Sequence, residues 1–403
     1  MTGDLAGAGE RIDPDALARG LARCGLDAGA LRASHPALLS DAVVRVDARD
    51  QRTMAELVAA IEEVVALPVY REAVLAWAPA IARHDPGYPG VFLGYDFHLT
   101  PDGPRLIEIN SNAGGGFLNA CLRAAHAENG ASALDAALAA WVDVFREEAR
   151  LAGLPGMDAP RLAIVDARPA EQFLFPEFGI ARRIFAEAGW RAVIADPSEL
   201  SWDGERLRHA TGPVDIVYNR LTDFTLADPA HAALRAAWMA GQVALTPHPR
   251  THALYADKRN MTLLSNPGWL EQAGVPATLR TRLLAGIPRT TRVRPEDGET
   301  LWQARKTLFF KPASGFGSRA AYRGDKLTRK VFGEILAGDY VAQVFAPPST
   351  RRVRIAGRDV VLKLDLRQYV YRGRLQLAAA RLYQGQLTNM RTPGGGFAAV
   401  TIV

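Results

Sequence analysis

Asp96, Glu108 and Asn110 lie within one short stretch, GYDFHLTPDGPRLIEIN, residues 94–110. The stretch reads as two alternating strands around a Thr-Pro-Asp-Gly turn, with Asp96 on the first strand and Glu108 and Asn110 on the second. Strand side chains alternate with period two, so Glu108 and Asn110 share a face. With the loop centred on Asp102, residue 96 falls opposite residue 108. Two carboxylates opposed across a ladder destabilise it. A hard divalent ion relieves that repulsion: Mg2+ takes oxygen ligands, commonly one or two carboxylates together with substrate phosphates. The plain alternative is a solvated hairpin with an acidic face.

The other end of the chain supplies cations beside glycines. FFKPASGFGS places Lys311 at a strand end, directly before a Gly/Ser loop whose backbone N–H groups can lie on phosphate oxygens. It is not a Walker loop, because the lysine precedes the glycines, and G-x-G-x-x-G is absent too. A mobile hairpin is the alternative. Lysine is scarce, six residues beginning at Lys258, so a lysine in this position is a marked choice. A point-charge ammonium suits a phosphate, where arginine would fork onto a carboxylate. Lys258, in YADKRNMTLL, opens a helix. LDLRQYVY puts Asp365 and Arg367 two apart on one strand face, and LTNMRTPGGG sets Asn389 and Arg391 before three glycines. Each arginine taken singly reads equally as surface charge.

The elements that must position these residues divide the 403-residue chain into four parts. Residues 1–85 read as helices, DQRTMAELVAAIEEVVAL having helical spacing. Residues 86–153 hold the acidic hairpin and two following helices. Residues 160–250 alternate strands (LAIVDA, RAVIAD, VDIVYNR, VALTPHP) with helices, which implies a parallel sheet covered on both faces. Asp166, Arg168, Asn219 and Arg220 end its strands, where open sheets bind ligands. Residues 251–403 read as α+β with antiparallel strands. The fold class is therefore mixed α/β and α+β. A net charge of +5, without aromatic-interleaved basic stretches, does not argue for nucleic acid. No apolar run long enough for a membrane span occurs and no targeting segment opens the chain, so a cytoplasmic location is the default expectation. Cys24 and Cys121 make neither a zinc spacing nor a disulfide framework.

Together these parts resemble the ATP-grasp superfamily of carboxylate–amine ligases. The resemblance rests on Lys258 in ADKRNM, Lys311 in FFKPASGFGS, the strand and hinge YVAQVFAP, the Asp-x-Arg strand DLR, TNMRTPGGG, and GYDFHLTPDGPRLIEINSNAGG. Their order differs from the usual one. The acidic hairpin stands near the N-terminus, and joining the C-terminus to it restores the sequence of motifs. That is a circular permutation, as in eukaryotic-type glutathione synthetases. The resemblance implies a circularly permuted ATP-grasp fold with an inserted Rossmann-like α/β substrate domain and a helical N-terminal region. It implies ATP and Mg2+ as cofactors, with the metal on Asp96, Glu108 and Asn110. It puts Lys258, Lys311, Ser314, Gly315, Phe316, Gly317 and Ser318 on the phosphates, and Gln343, Val344 and Asp365 around the nucleotide. Arg367, Asn389 and Arg391 would be the catalytic group. The permuted synthetases carry a glutamate in the Gly-rich loop; this loop has none, and Asp96 stands in for it. By the same resemblance the substrates are a small-molecule carboxylate and an amine joined through an acyl phosphate, and the assembly is a homodimer. A non-catalytic ATP-binding module and a kinase-type transfer remain open on the same residues.

Overall fold

The computed structural model of the chain describes residues 11–154, 159–315, 320–355 and 358–403. At its centre is a seven-stranded sheet drawn from both ends of the sequence. The strands run in the order Leu39–Val46, Gly396–Ile402, Arg374–Tyr383, Arg358–Tyr371, Leu93–Thr100 and Gly103–Asn110, and Ser349–Ile355 pairs separately with Arg358–Tyr371. The first pair is parallel and the others antiparallel. The hairpin joining residues 371 and 374 turns through Arg372 and Gly373, at φ 49° and 71°. Positive φ at both central residues matches the right-handed twist of the flanking strands.

Alternation along these strands builds two different faces. Leu93, Tyr95, Phe97 and Leu99 point to one side, with Leu364, Leu366, Ala380 and Leu382, and pack on Met54, Leu57, Val58, Ile61 and Val65 of the helix Ala48–Ala66. Asp47 starts that helix by accepting from the Arg49 N–H. The opposite face carries Asp96, His98, Asp365, Arg367 and Arg381. Further along, the same face is covered by the helices Gly116–His126 and Gly130–Leu151, where Phe117, Trp141 and Phe145 meet Phe92 and Tyr369. Gly115 begins the first of these at φ 95°, and a Cβ there would lie 2.2 Å from the Phe397 ring, so only glycine fits.

The parallel sheet expected within residues 160–250 is present, in the order Ala244–Thr246, Ile216–Asn219, Arg161–Val165, Arg191–Ala195. A three-stranded meander over residues 201–214 accompanies it and has no counterpart in the sequence reading. Strand, loop and strand around Lys311 form a second antiparallel sheet, ordered Thr290–Arg292, Tyr340–Val344, Leu308–Pro312, Tyr322–Arg323, with its own core of Phe310, Phe332, Ile335 and Ala342. The all-helical reading of residues 1–85 needs correction. Leu39–Val46 is a strand, and it pairs with the last strand of the chain. Its apolar residues Leu39, Ala42, Val43, Val44 and Val46 fall at both odd and even positions and so mark no single face, and the partner lies some 350 residues away. Among the described residues no helix is long and apolar enough to cross a membrane.

Candidate active site

The acidic hairpin faces the lysine-bearing sheet across a cleft. In the hairpin, Thr100 pairs with Gly103 around a two-residue turn, and a bulge between Asp96 and Phe97 leaves Ile107 without a cross-strand partner. The extra residue brings Asp96 opposite Glu108, the pair expected from a loop centred on Asp102. The Ile107 carbonyl oxygen also accepts from Lys311 Nζ at 2.8 Å. One irregularity thus sets the carboxylates and anchors the lysine that comes from the other sheet.

Lys311 is buried, and its second contact is Gln343 Oε1 at 3.0 Å. Gln343 is fixed in turn by donating to Thr290 Oγ1. Burial pulls the Lys311 ammonium down to about 8; Lys258 adds to the effect, while Glu108 and Asp96 oppose it. Lys258 donates to the Gly315 carbonyl at 3.1 Å, and its backbone N–H is held by the Ala313 carbonyl. Burial pushes the Glu108 carboxyl up, but the charges of Lys258 and Lys311 outweigh it and hold Glu108 below its usual value.

Asp96 is engaged on a different side. Arg367 donates from Nε and Nη2 to its two oxygens, each at 2.7 Å, and Arg381 and Asn110 donate to Oδ2 at 2.8 and 2.9 Å. Arg381 continues to Asp365 at 2.6 Å, and Thr388 Oγ1 also donates to Asp365. The four charged groups alternate in sign across neighbouring strands, because Asp96 pairs with Arg367 and Asp365 with Arg381 in the ladder. Gly94 leaves room for the Arg367 side chain: a Cβ there would sit 3.1 Å from Arg367 Nε and 2.6 Å from Ala113 Cβ.

At the other end the cleft is apolar. Phe309 and Phe345 lie nearly parallel with centroids 6.3 Å apart, Val344 and Ala346 adjoin them, and His98 Nδ1 sits 2.7 Å from the Ala346 oxygen. Burial holds His98 below its ordinary value, so the imidazole is neutral at physiological pH.

Of the residues singled out in the sequence, Asp96, Glu108, Asn110, Lys258, Lys311, Gly315, Gln343, Val344 and Asp365 line this cleft. Arg367 lies buried behind Asp96. Ser314 is exposed beside the cleft, and Phe316, Gly317 and Ser318 lie outside the described residues. Asn389 and Arg391 are not among the lining residues. Asn389 donates to the Gln384 and Leu387 carbonyls and accepts from the Arg391 N–H, fixing its own loop, and Arg391 is exposed. The sequence reading missed Arg381, Arg323, Lys363, Tyr383 and Thr388, all of which line the cleft. Arg381 faces Asp365 across a hairpin. A bulge at Tyr369/Val370 shifts that pairing by one residue from what the turn alone gives.

The donors fit a magnesium nucleotide in part. Asn110 points its amide nitrogen at Asp96 and Glu108, which leaves its oxygen for a cation beside the Glu108 carboxylate. Asp96, with two guanidinium groups against it, is poorly disposed to hold a cation. Among the described residues no group of three or more His, Cys, Asp or Glu side chains is arranged for a metal. One carboxylate plus one amide oxygen suits an ion that takes its remaining ligands from phosphates and water, the usual state of Mg2+.

No protein-family model and no curated protein matches the sequence. Among solved structures, the chain is similar over 97% of its length to 98% of a glutathione synthetase-like effector from Globodera pallida, with TM-score 0.55 and 12% identity. A putative gamma-glutamylcysteine synthetase from Methylobacillus flagellatus matches at TM-score 0.45 and 12% identity, covering 84% of each chain. D-alanyl-alanine synthetase A from Vibrio cholerae matches at TM-score 0.31 and 10% identity, over 53% of this chain and 68% of its own. The chain shares its overall fold with the glutathione synthetase-like effector. That likeness extends over essentially the whole of both chains.

Proposed function

We propose that the protein is an ATP- and Mg2+-dependent ligase that activates a small-molecule carboxylate and joins it to an amine. The observation that carries this reading is the convergence of Glu108 and Asn110 with Lys258 and Lys311 on one cleft, although the two pairs are separated by some 150 to 200 residues of sequence. ATP with Mg2+ supplies the phosphoryl group that makes the carboxylate reactive. Lys258 and Lys311 neutralise phosphate charge, and Glu108 with the Asn110 oxygen holds the metal. Phe309, Phe345 and Val344 form the apolar slot for the base. Arg381, held by Asp96 and Asp365, presents a fixed guanidinium where negative charge gathers on the transferred group. Asp96 acts in this reading as the orienter of Arg367 and Arg381.

We read the chain as circularly permuted. Support comes from the central sheet, where strands from the two ends pair directly and the acidic hairpin abuts a strand 270 residues later in sequence. The test of function is ADP release with Mg·ATP over a matrix of carboxylates and amines, with the product identified by mass. An amide together with ADP supports the ligase. A phosphorylated substrate without an amide would indicate kinase-type transfer, and binding of nucleotide with no turnover would indicate a sensor module.

A further inference from the structure

The sequence holds two cysteines in 403 residues, and folding brings them together. Cys24 Sγ and Cys121 Sγ, 97 residues apart, lie 3.3 Å from each other and are both buried. Cys24 caps the helix Pro14–Arg23, its N–H bonding back to the Gly20 and Leu21 carbonyls. Cys121 sits in the helix Gly116–His126, which leaves the acidic hairpin and packs along the first helix. We propose that this pair is an oxidation site: hydrogen peroxide closes it to a disulfide that ties the N-terminal helix to the helix behind the acidic hairpin.

The geometry favours closure over any other fate of the thiols. A disulfide needs sulfurs about 2.05 Å apart, so they must approach by only about 1.3 Å. The surroundings also assign roles. Arg23 adjoins Cys24 in sequence, and Arg183 reaches the neighbouring Gly25, where a Cβ would lie 3.0 Å from Arg183 Nη1. The hydrogen bond shared with Cys121 holds the Cys24 thiol below its ordinary value; burial opposes this, and Arg23 and Arg183 assist. The same bond and its burial push Cys121 up. Cys24 is therefore the nucleophile and Cys121 the resolving thiol. The Cys24 sulfur attacks one peroxide oxygen, the O–O bond breaks, and the departing hydroxide takes the Cys24 proton as water, leaving a sulfenic acid. Cys121 then attacks the Cys24 sulfur, and its proton departs with the sulfenic hydroxyl as a second water. Two thiols and one peroxide give one disulfide and two waters. Burial selects for an oxidant of this size, since a bulky disulfide would have to dock against a nearly inaccessible sulfur.

The test uses the full chain, reduced, freed of reductant and treated with stoichiometric peroxide. Free thiols assayed in denaturant should fall from two per chain to none. The monomer mass should drop by two hydrogens, and a digest without reductant should yield one peptide joining residues 24 and 121. The urea midpoint should rise and return on adding dithiothreitol. Cys121→Ala should stop at a sulfenic acid on Cys24, which dimedone captures when added together with denaturant. If that variant does not fold, the wild-type digest decides alone. Survival of both thiols in excess peroxide, conversion to sulfinic acid, or disulfides only between chains would overturn the proposal.

Discussion

Lys311→Met isolates the contribution of one buried charge to nucleotide binding. In the unliganded protein burial holds Lys311 at about 8, so near pH 8 half of the molecules carry it neutral. A phosphate placed against it favours the ammonium and draws its pKa back toward the ordinary 10.5. Binding must then take up protons: about 0.5 per site at pH 8, about 0.1 at pH 7 and about 0.9 at pH 9. Loss of an ammonium–phosphate contact is worth about 3 kcal/mol at most, or roughly 150-fold in affinity. The assay is titration calorimetry of a non-hydrolysable ATP analogue with Mg2+, repeated in buffers of different ionisation enthalpy. The difference between wild type and Lys311→Met gives the proton count assigned to this lysine, because other titrating groups cancel. Affinity within threefold of wild type, or proton uptake that survives the substitution, would refute the placement of phosphate on Lys311.

Further predictions concern the neighbours of this lysine and the sheet that holds the site. Glu108→Gln should make nucleotide affinity insensitive to Mg2+, measured by the same titration with and without the ion; an unchanged Mg2+ response removes Glu108 from the metal. Asp96→Asn deprives buried Arg367 of its carboxylate partner and weakens the hold on Arg381, so it should cost about 3–5 kcal/mol in urea unfolding. Gly94→Ala should destabilise by about 1–3 kcal/mol, since its Cβ meets the fixed Ala113 Cβ at 2.6 Å, and it should lower turnover by displacing Arg367. Glu148 accepts from the Gly90 N–H, Thr246 and Tyr371, yet burial raises it to about 7. The folded chain therefore holds that proton more tightly than the unfolded one, and the associated stability, about 3 kcal/mol, is present below pH 4.5 and lost as pH rises to 7. Glu148→Gln should remove that slope from the stability profile.

Much of the site was legible in the sequence because its signals are local. Asp96, Glu108 and Asn110 announce themselves through strand alternation and a Pro-Asp turn, and Lys311 through its place between a strand and glycines. The parallel sheet of residues 160–250 was equally plain, since each strand and helix carries its own period. What only tertiary structure decided involves partners distant in sequence or shifts of one residue. Leu39–Val46 is a strand because the last strand lies beside it; eight residues of mixed polarity cannot show that alone. Arg381 reaches Asp96 and Asp365 because a bulge changes the hairpin register, and a one-residue slip turns every side chain to the other face. The same holds for Cys24 and Cys121, which have no informative spacing and meet only because two helices pack. Alternation and turn chemistry thus fix which residues face together within one element. Which elements then meet is set by burial of whole apolar faces, a property of the assembled chain.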